Sequence, residues 1–191
     1  MLTGKHIKLV PYSDRYLDFV YGMESNLDER YLWSDARAYV SKEEFAEGFH
    51  RKIERDYFNY FIIASTEGQP LGVIYAYRYH PWDHFLYLTT YVVKEARGTY
   101  AAAEGGILMI NYLFHYYRLN KIYTLVYDYN KDSLNYQLNA GFSEEGLLKR
   151  HRYYAGQFHD AHLLALYPDV FYKRFDGLLT QIFKNGDEVV M

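Results

Sequence analysis

The residues best suited to chemistry are gathered where an apolar run turns into a helix: Tyr91-Val92-Val93-Lys94-Glu95-Ala96-Arg97-Gly98-Thr99-Tyr100-Ala101-Ala102-Ala103-Glu104. A loop that becomes a helix N-terminus aims unpaired backbone N–H groups and the positive end of the helix dipole at one spot, which suits a diphosphate. Small side chains there let phosphate oxygens approach the backbone, and Arg97 adds a charge-assisted contact. The same pattern also serves packing alone. Imidazoles come next, because histidine titrates near neutral pH. His84, with Asp83, precedes the run 85–93 and is a candidate base; a solvated loop histidine is the plain alternative. His80, Asp83 and His84 do not make a convincing metal set. The chain has no cysteine, so thiolate metal sites, disulfides and cysteine nucleophiles are excluded together.

A second unit follows. Asn130-Lys131-Asp132-Ser133, then Gly141-Phe142 and Glu145-Gly146, a basic-aromatic run from Lys149 to Tyr154, a turn, and His159-Asp160-Ala161 stand in that order at tight spacings. On Asn130, Ser133, Gly141, Phe142, Glu145, Gly146, Arg150, Gly156 and Asp160 the chain resembles the GNAT superfamily of N-acetyltransferases. The likeness is to the branch holding the ribosomal-protein N-terminal and spermidine acetyltransferases, and it runs from Leu2-Thr3-Gly4 to about Phe171. It implies transfer of an acetyl group from acetyl-CoA to a primary amine by direct attack in a ternary complex, without a metal.

The resemblance also assigns residues. Tyr91, Val92 and Val93 would pair with the pantetheine arm as strand addition to an open edge. Arg97, Gly98, Thr99, Tyr100, Ala101 and Ala102 would hold the diphosphate, and Asn130 and Ser133 would lie beside the arm. Asn130 serves equally well as a helix N-cap. Departures from the family pattern bear on activity. Tyr100 stands where a glycine is usual, a strained choice if that position needs a positive φ. Leu88 replaces a frequent acid. Gln137 sits where a tyrosine is common, with Tyr136 about 100° away round the helix. Tyr136 and His84 are thus the candidate catalytic residues. Trp33 and Tyr39, in the variable segment after the first helix, are the candidate acceptor contacts. The other class consistent with these departures is a degenerate GNAT fold that binds acyl-CoA or a protein partner without turnover.

These residues need elements to hold them. The run 6–11 alternates as a strand does, and Ser13 or Asp14 opens a helix to Met23. Ser41 caps a second helix carrying Phe45, Phe49 and Ile53. Residues 60–66 and 71–78 read as a hairpin about Gly68-Gln69-Pro70, and 85–93 extends the meander. A helix through Ile107, Ile110 and Leu113 crosses to a parallel strand at 121–127. A short helix to Leu138 ends at Gly141, and 142–151 pairs with 159–166. The reading is one α/β (α+β) domain, residues 1–168, with a mixed and mostly antiparallel sheet, which the GNAT resemblance implies is splayed at the cofactor site. A helical extension, 169–191, packs on the domain or on a partner subunit, giving a monomer or homodimer.

A length of 191 residues suits a single domain. The net charge of −3 offers no field for a nucleic-acid backbone. The sequence holds no run of roughly 18 apolar residues and opens without a secretory signal, so a cytoplasmic protein is expected; the GNAT resemblance implies a small-molecule amine or a protein N-terminus as its acceptor. The 24 tyrosines suit half-wet sheets and pockets.

Overall fold

Side-chain alternation along the strands decides which layer each helix joins. The computed structural model describes residues 1–34 and 40–183. Its strands are β1 (Leu2–Thr3), β2 (Ile7–Pro11), β3 (Tyr57–Ser65), β4 (Pro70–His80), β5 (Phe85–Val92), β6 (Lys121–Tyr127), β7 (Ser143–Tyr154) and β8 (Gln157–Leu166). Its helices are α1 (Leu17–Ser25), α2 (Leu27–Arg30), α3 (Lys42–Arg55), α4 (Tyr100–Tyr116), α5 (Lys131–Asn139) and α6 (Pro168–Phe183). The strands form one sheet in the order β1-β2-β3-β4-β5-β6-β8-β7, in which β5 and β6 are parallel and the other neighbours antiparallel.

On β3 and β4, Phe61, Ile63, Ile74 and Ala76 point to one face and pack with Ile107, Leu108 and Leu113 of α4. Tyr60, Ile62, Val73 and Tyr75 point to the other, where they meet Val20 and Met23 of α1 and Phe49 of α3. Gly105 lets α4 lie close on β3, since a Cβ there would stand 3.3 Å from the Ile63 side chain. The buried Glu104 carboxylate accepts the His6 N–H at 2.8 Å, which fixes the turn between β1 and β2 against α4. The fully buried Phe171 anchors α6, its ring 5.8 Å from that of Phe114 on α4.

Ser41 accepts a hydrogen bond from the Glu44 N–H at 3.1 Å and so satisfies one of the orphan donors at the start of α3. Ser41→Ala is expected to lower unfolding stability by about 1 kcal/mol in urea titration. At the β7–β8 turn, Ala155 and Gly156 both take positive φ, 49° and 83°, the geometry of a two-residue hairpin whose twist matches its strands.

Candidate active site

Antiparallel pairing carries β5 alongside β4 as far as Val92↔Gly72, and β6 alongside β8 as far as Tyr127↔Ala161. Between β5 and β6 the rungs stop early. Phe85↔Lys121, Leu86↔Ile122 and Tyr87↔Tyr123 are paired, and beyond them the two strands part. Residues 88–92 and 124–127 therefore present backbone edges to each other across a V whose open end leads to the loop before α4. Over this V, between α4 and α5, lies a cleft of about 480 Å³ including the solvent at its mouth. Leu88, Thr90 and Thr124 form its floor, Ala102, Ala103 and Gly106 one wall, and Tyr136, Gln137 and Ala140 the other. Phe171 and Phe175 of α6 close part of its boundary.

The loop at the open end is shaped by two residues. Gly98 takes the positive φ, 73°, that a side chain would resist. Thr99 caps α4: its hydroxyl accepts from the Ala101 N–H at 3.2 Å and donates to the Ala96 carbonyl at 2.6 Å. The other first-turn N–H groups of α4, those of Tyr100 and Ala102, are left to a ligand or to water. The strain expected at Tyr100 is absent, because Tyr100 is the first helical residue of α4 and the turn falls on Gly98. Its ring stacks on His6 at 4.2 Å, away from the residues that line the cleft.

Of the other predicted residues, Asn130 caps α5, its Oδ1 accepting from the Ser133 N–H at 3.3 Å, while its Nδ2 donates to the Leu32 carbonyl. Tyr136 and Gln137 both line the cleft, so the turn of the helix does not force a choice between them. Tyr136 is partly exposed, and the desolvation of its phenol raises it above the ordinary value. Leu88 faces the cleft as an apolar floor. His84 is not brought to it. It stands just before β5 with its carbonyl accepting from the Asn120 N–H, at the closed end of the V, and the three paired rungs separate it from the open part. His80 binds Asp83 beside it at 2.9 Å. Trp33 stacks on Tyr91 at 4.7 Å, on the sheet face opposite α4. Tyr39 lies outside the described residues.

Arg97 has a partner the sequence did not announce. Its Nη2 donates to Glu29 Oε2 at 2.5 Å, and the Tyr91 hydroxyl donates to the same oxygen. Burial pushes the Glu29 carboxyl up, but the hydrogen bonds from Tyr91 and Arg97 and the charges of Arg97 and Lys94 outweigh it and hold the group below the usual carboxylate value. The stretch after α2 crosses to the other arm of the V: the carbonyls of Tyr31, Leu32 and Ser34 accept from Tyr129, Asn130 and Arg152. His159, its Nδ1 2.9 Å from Asp128 Oδ1, packs beside Tyr129.

A split parallel pair thus lies beneath a helix that starts at a capped, glycine-turned loop. The profile of the Acetyltransferase (GNAT) domain matches residues 8–143, well over half of the chain. The chain belongs to the GNAT acetyltransferase family. As a GNAT enzyme it transfers an acetyl group from acetyl-CoA to an amine. The fold of this GNAT chain is similar to that of spermidine N-acetyltransferase from Vibrio cholerae in complex with CoA and spermine, with a TM-score of 0.79 at 19% identity over 86% of this chain and 97% of that one. It is similar also to the dodecameric form of that Vibrio cholerae enzyme in an intermediate state, with a TM-score of 0.76 at 19% identity over 88% and 97% of the two chains. No curated protein sequence matches significantly. Among the described residues no helix of this GNAT domain is long and apolar enough to cross a membrane, and no set of three or more His, Asp or Glu side chains comes together as a metal site.

Proposed function

We propose that this acetyltransferase acts on a small cationic amine, which approaches on the tyrosine-rich face of the sheet while acetyl-CoA occupies the cleft between α4 and α5. The observation that carries this reading is the V itself. Its unpaired edges at 88–92 and 124–127 offer main-chain donors and acceptors to an extended arm, and a cleft lined by Ala102, Ala103 and Gly106 admits that arm against the helix. The loop N–H groups at Tyr100 and Ala102, with the guanidinium of Arg97, supply the anion site for a diphosphate. The opposite face supplies the acceptor side. Trp33, Tyr91 and Tyr129 give aromatic surface there, and Glu29 gives negative charge, a combination suited to an ammonium group. The structural relatives that carry spermine or are named for spermidine accord with such an acceptor.

Acetyl-CoA brings an activated thioester, and the chain must place it, receive the amine in its uncharged form, let the amine proton pass to water as the C–N bond forms, and return a proton to the thiolate as the C–S bond breaks. Tyr136, protonated and on the cleft wall, is the group we assign to that last proton. Titration calorimetry with acetyl-CoA tests the reading: binding in the micromolar range is expected, and Arg97→Ala should weaken it by about tenfold, the scale of one charge-assisted contact. A folded protein that binds no acetyl-CoA would end it.

A further inference from the structure

Arg97 stands immediately before Gly98, at the place where a diphosphate would lie, yet its guanidinium folds back to Glu29, 68 residues away in sequence. Glu29 Oε2 takes both this bond and the Tyr91 hydroxyl, with Arg97 lying over the Tyr91 ring at 5.6 Å. Trp33 stacks on that ring, and its buried indole N–H has no partner among the described residues. The carboxylate thus sits where β5 opens into the V, on the face away from α4, beside a half-spent aromatic wall. Arg97 reaches Glu29 through Nη2 alone, so a diphosphate at the α4 N-terminus competes with Glu29 for the charge of this one guanidinium and for that nitrogen.

We infer that Glu29 receives the cationic acceptor and that its ion pair with Arg97 makes this site conditional on the cosubstrate. Resting on the reading above that a diphosphate engages Arg97, the mechanism is an exchange of partners. The diphosphate draws Arg97 off Glu29, leaving a carboxylate held by Tyr91 alone and facing the open V. The ammonium of the acceptor then takes the position the guanidinium vacated. Because binding free energies are reciprocal, the amine in turn strengthens CoA binding. Glu29 acts on specificity and order of binding; it does not handle the reacting atoms.

Calorimetry on the whole chain with free CoA, which cannot turn over, and spermidine as the probe amine tests this. In the wild type, spermidine should bind at least about fivefold more tightly in the presence of saturating CoA than without it. Glu29→Gln keeps the shape and removes the charge; it should tighten CoA by about fivefold, since Arg97 is freed and a repelling carboxylate is gone, and raise the spermidine KM by about tenfold with a smaller change in kcat. Glu29→Asp should recover part of the KM. A folded Glu29→Gln protein with unchanged CoA affinity overturns the inference, and so does a wild type whose spermidine affinity ignores CoA; the second comparison stands even if the variant fails to fold. In both cases wild-type CoA binding persists, which separates this failure from the loss of acetyl-CoA binding that would end the functional reading itself.

Discussion

Gly106→Phe should abolish acetyl-CoA binding, with a loss of affinity beyond about a hundredfold, while the protein stays folded. Gly106 lies on the wall of α4 that faces α5, and a Cβ built there meets nothing within 4 Å. The backbone therefore accepts a side chain without strain, and replacing glycine inside a helix is worth up to about 1 kcal/mol in favour of the helix. A phenyl ring at this position has one place to go, the volume in which the arm of the cosubstrate is proposed to run. Gly106→Ala, adding a single methyl, should stay within a few-fold of the wild type and supplies the graded control. The measurement is calorimetry with acetyl-CoA beside a thermal unfolding curve. Wild-type affinity in the phenylalanine variant would move the cosubstrate out of the cleft between α4 and α5.

Tyr136→Phe should lower kcat by about a hundredfold with little change in the KM for acetyl-CoA, the pattern left when a proton donor goes and the binding surface stays. The ring remains in the wall, so the cleft keeps its shape. The pH profile separates this from a packing effect. Desolvation raises the phenol above its ordinary value of about 10, so the proton is present through neutral and mildly alkaline pH and is lost only as pH rises past that value. Wild-type kcat should fall on that alkaline limb, and the variant should lack it. A phenylalanine variant with full kcat would leave the proton to Gln137-bound water or to solvent.

How much of this was legible from residues alone depends on how locally each feature is encoded. The strand at 121–127, the strand read as 85–93 and found to end at Val92, and the cap at Asn130 follow from alternation and from one side chain's reach to its own helix, so they read directly. The four-residue α2 does not, because Leu27–Arg30 is too short to show a 3.6-residue period and only Asn26, accepting from Asp28 N–H, marks it. Glu29 was missed for the same reason compounded: its partners Tyr91 and Arg97 lie 62 and 68 residues on, and no spacing rule spans such a gap. The glycine pattern of the loop points to a turn at Tyr100, whereas the turn is made two residues earlier, at Gly98. His84 was attractive by its chemistry, but chemistry says nothing about which end of a parallel pair opens. That depends on where the β5–β6 rungs stop, a property of the whole sheet. Phe171 and Phe175 carried a helical period, yet nothing in that period says they border the cleft.

The edges of the V have a bearing on how such a chain drifts over time. What they offer an incoming arm is peptide N–H and C=O, which every residue but proline supplies in full. Leu88, Thr90 and Thr124 are answerable for size and shape but carry no chemical letter that must be kept, so substitutions pass through these positions so long as the strand persists. A recognition surface written in main chain leaves little trace in the alphabet of side chains. That is in keeping with a chain whose fold matches that of an acetyltransferase at a TM-score of 0.79 with only 19% sequence identity.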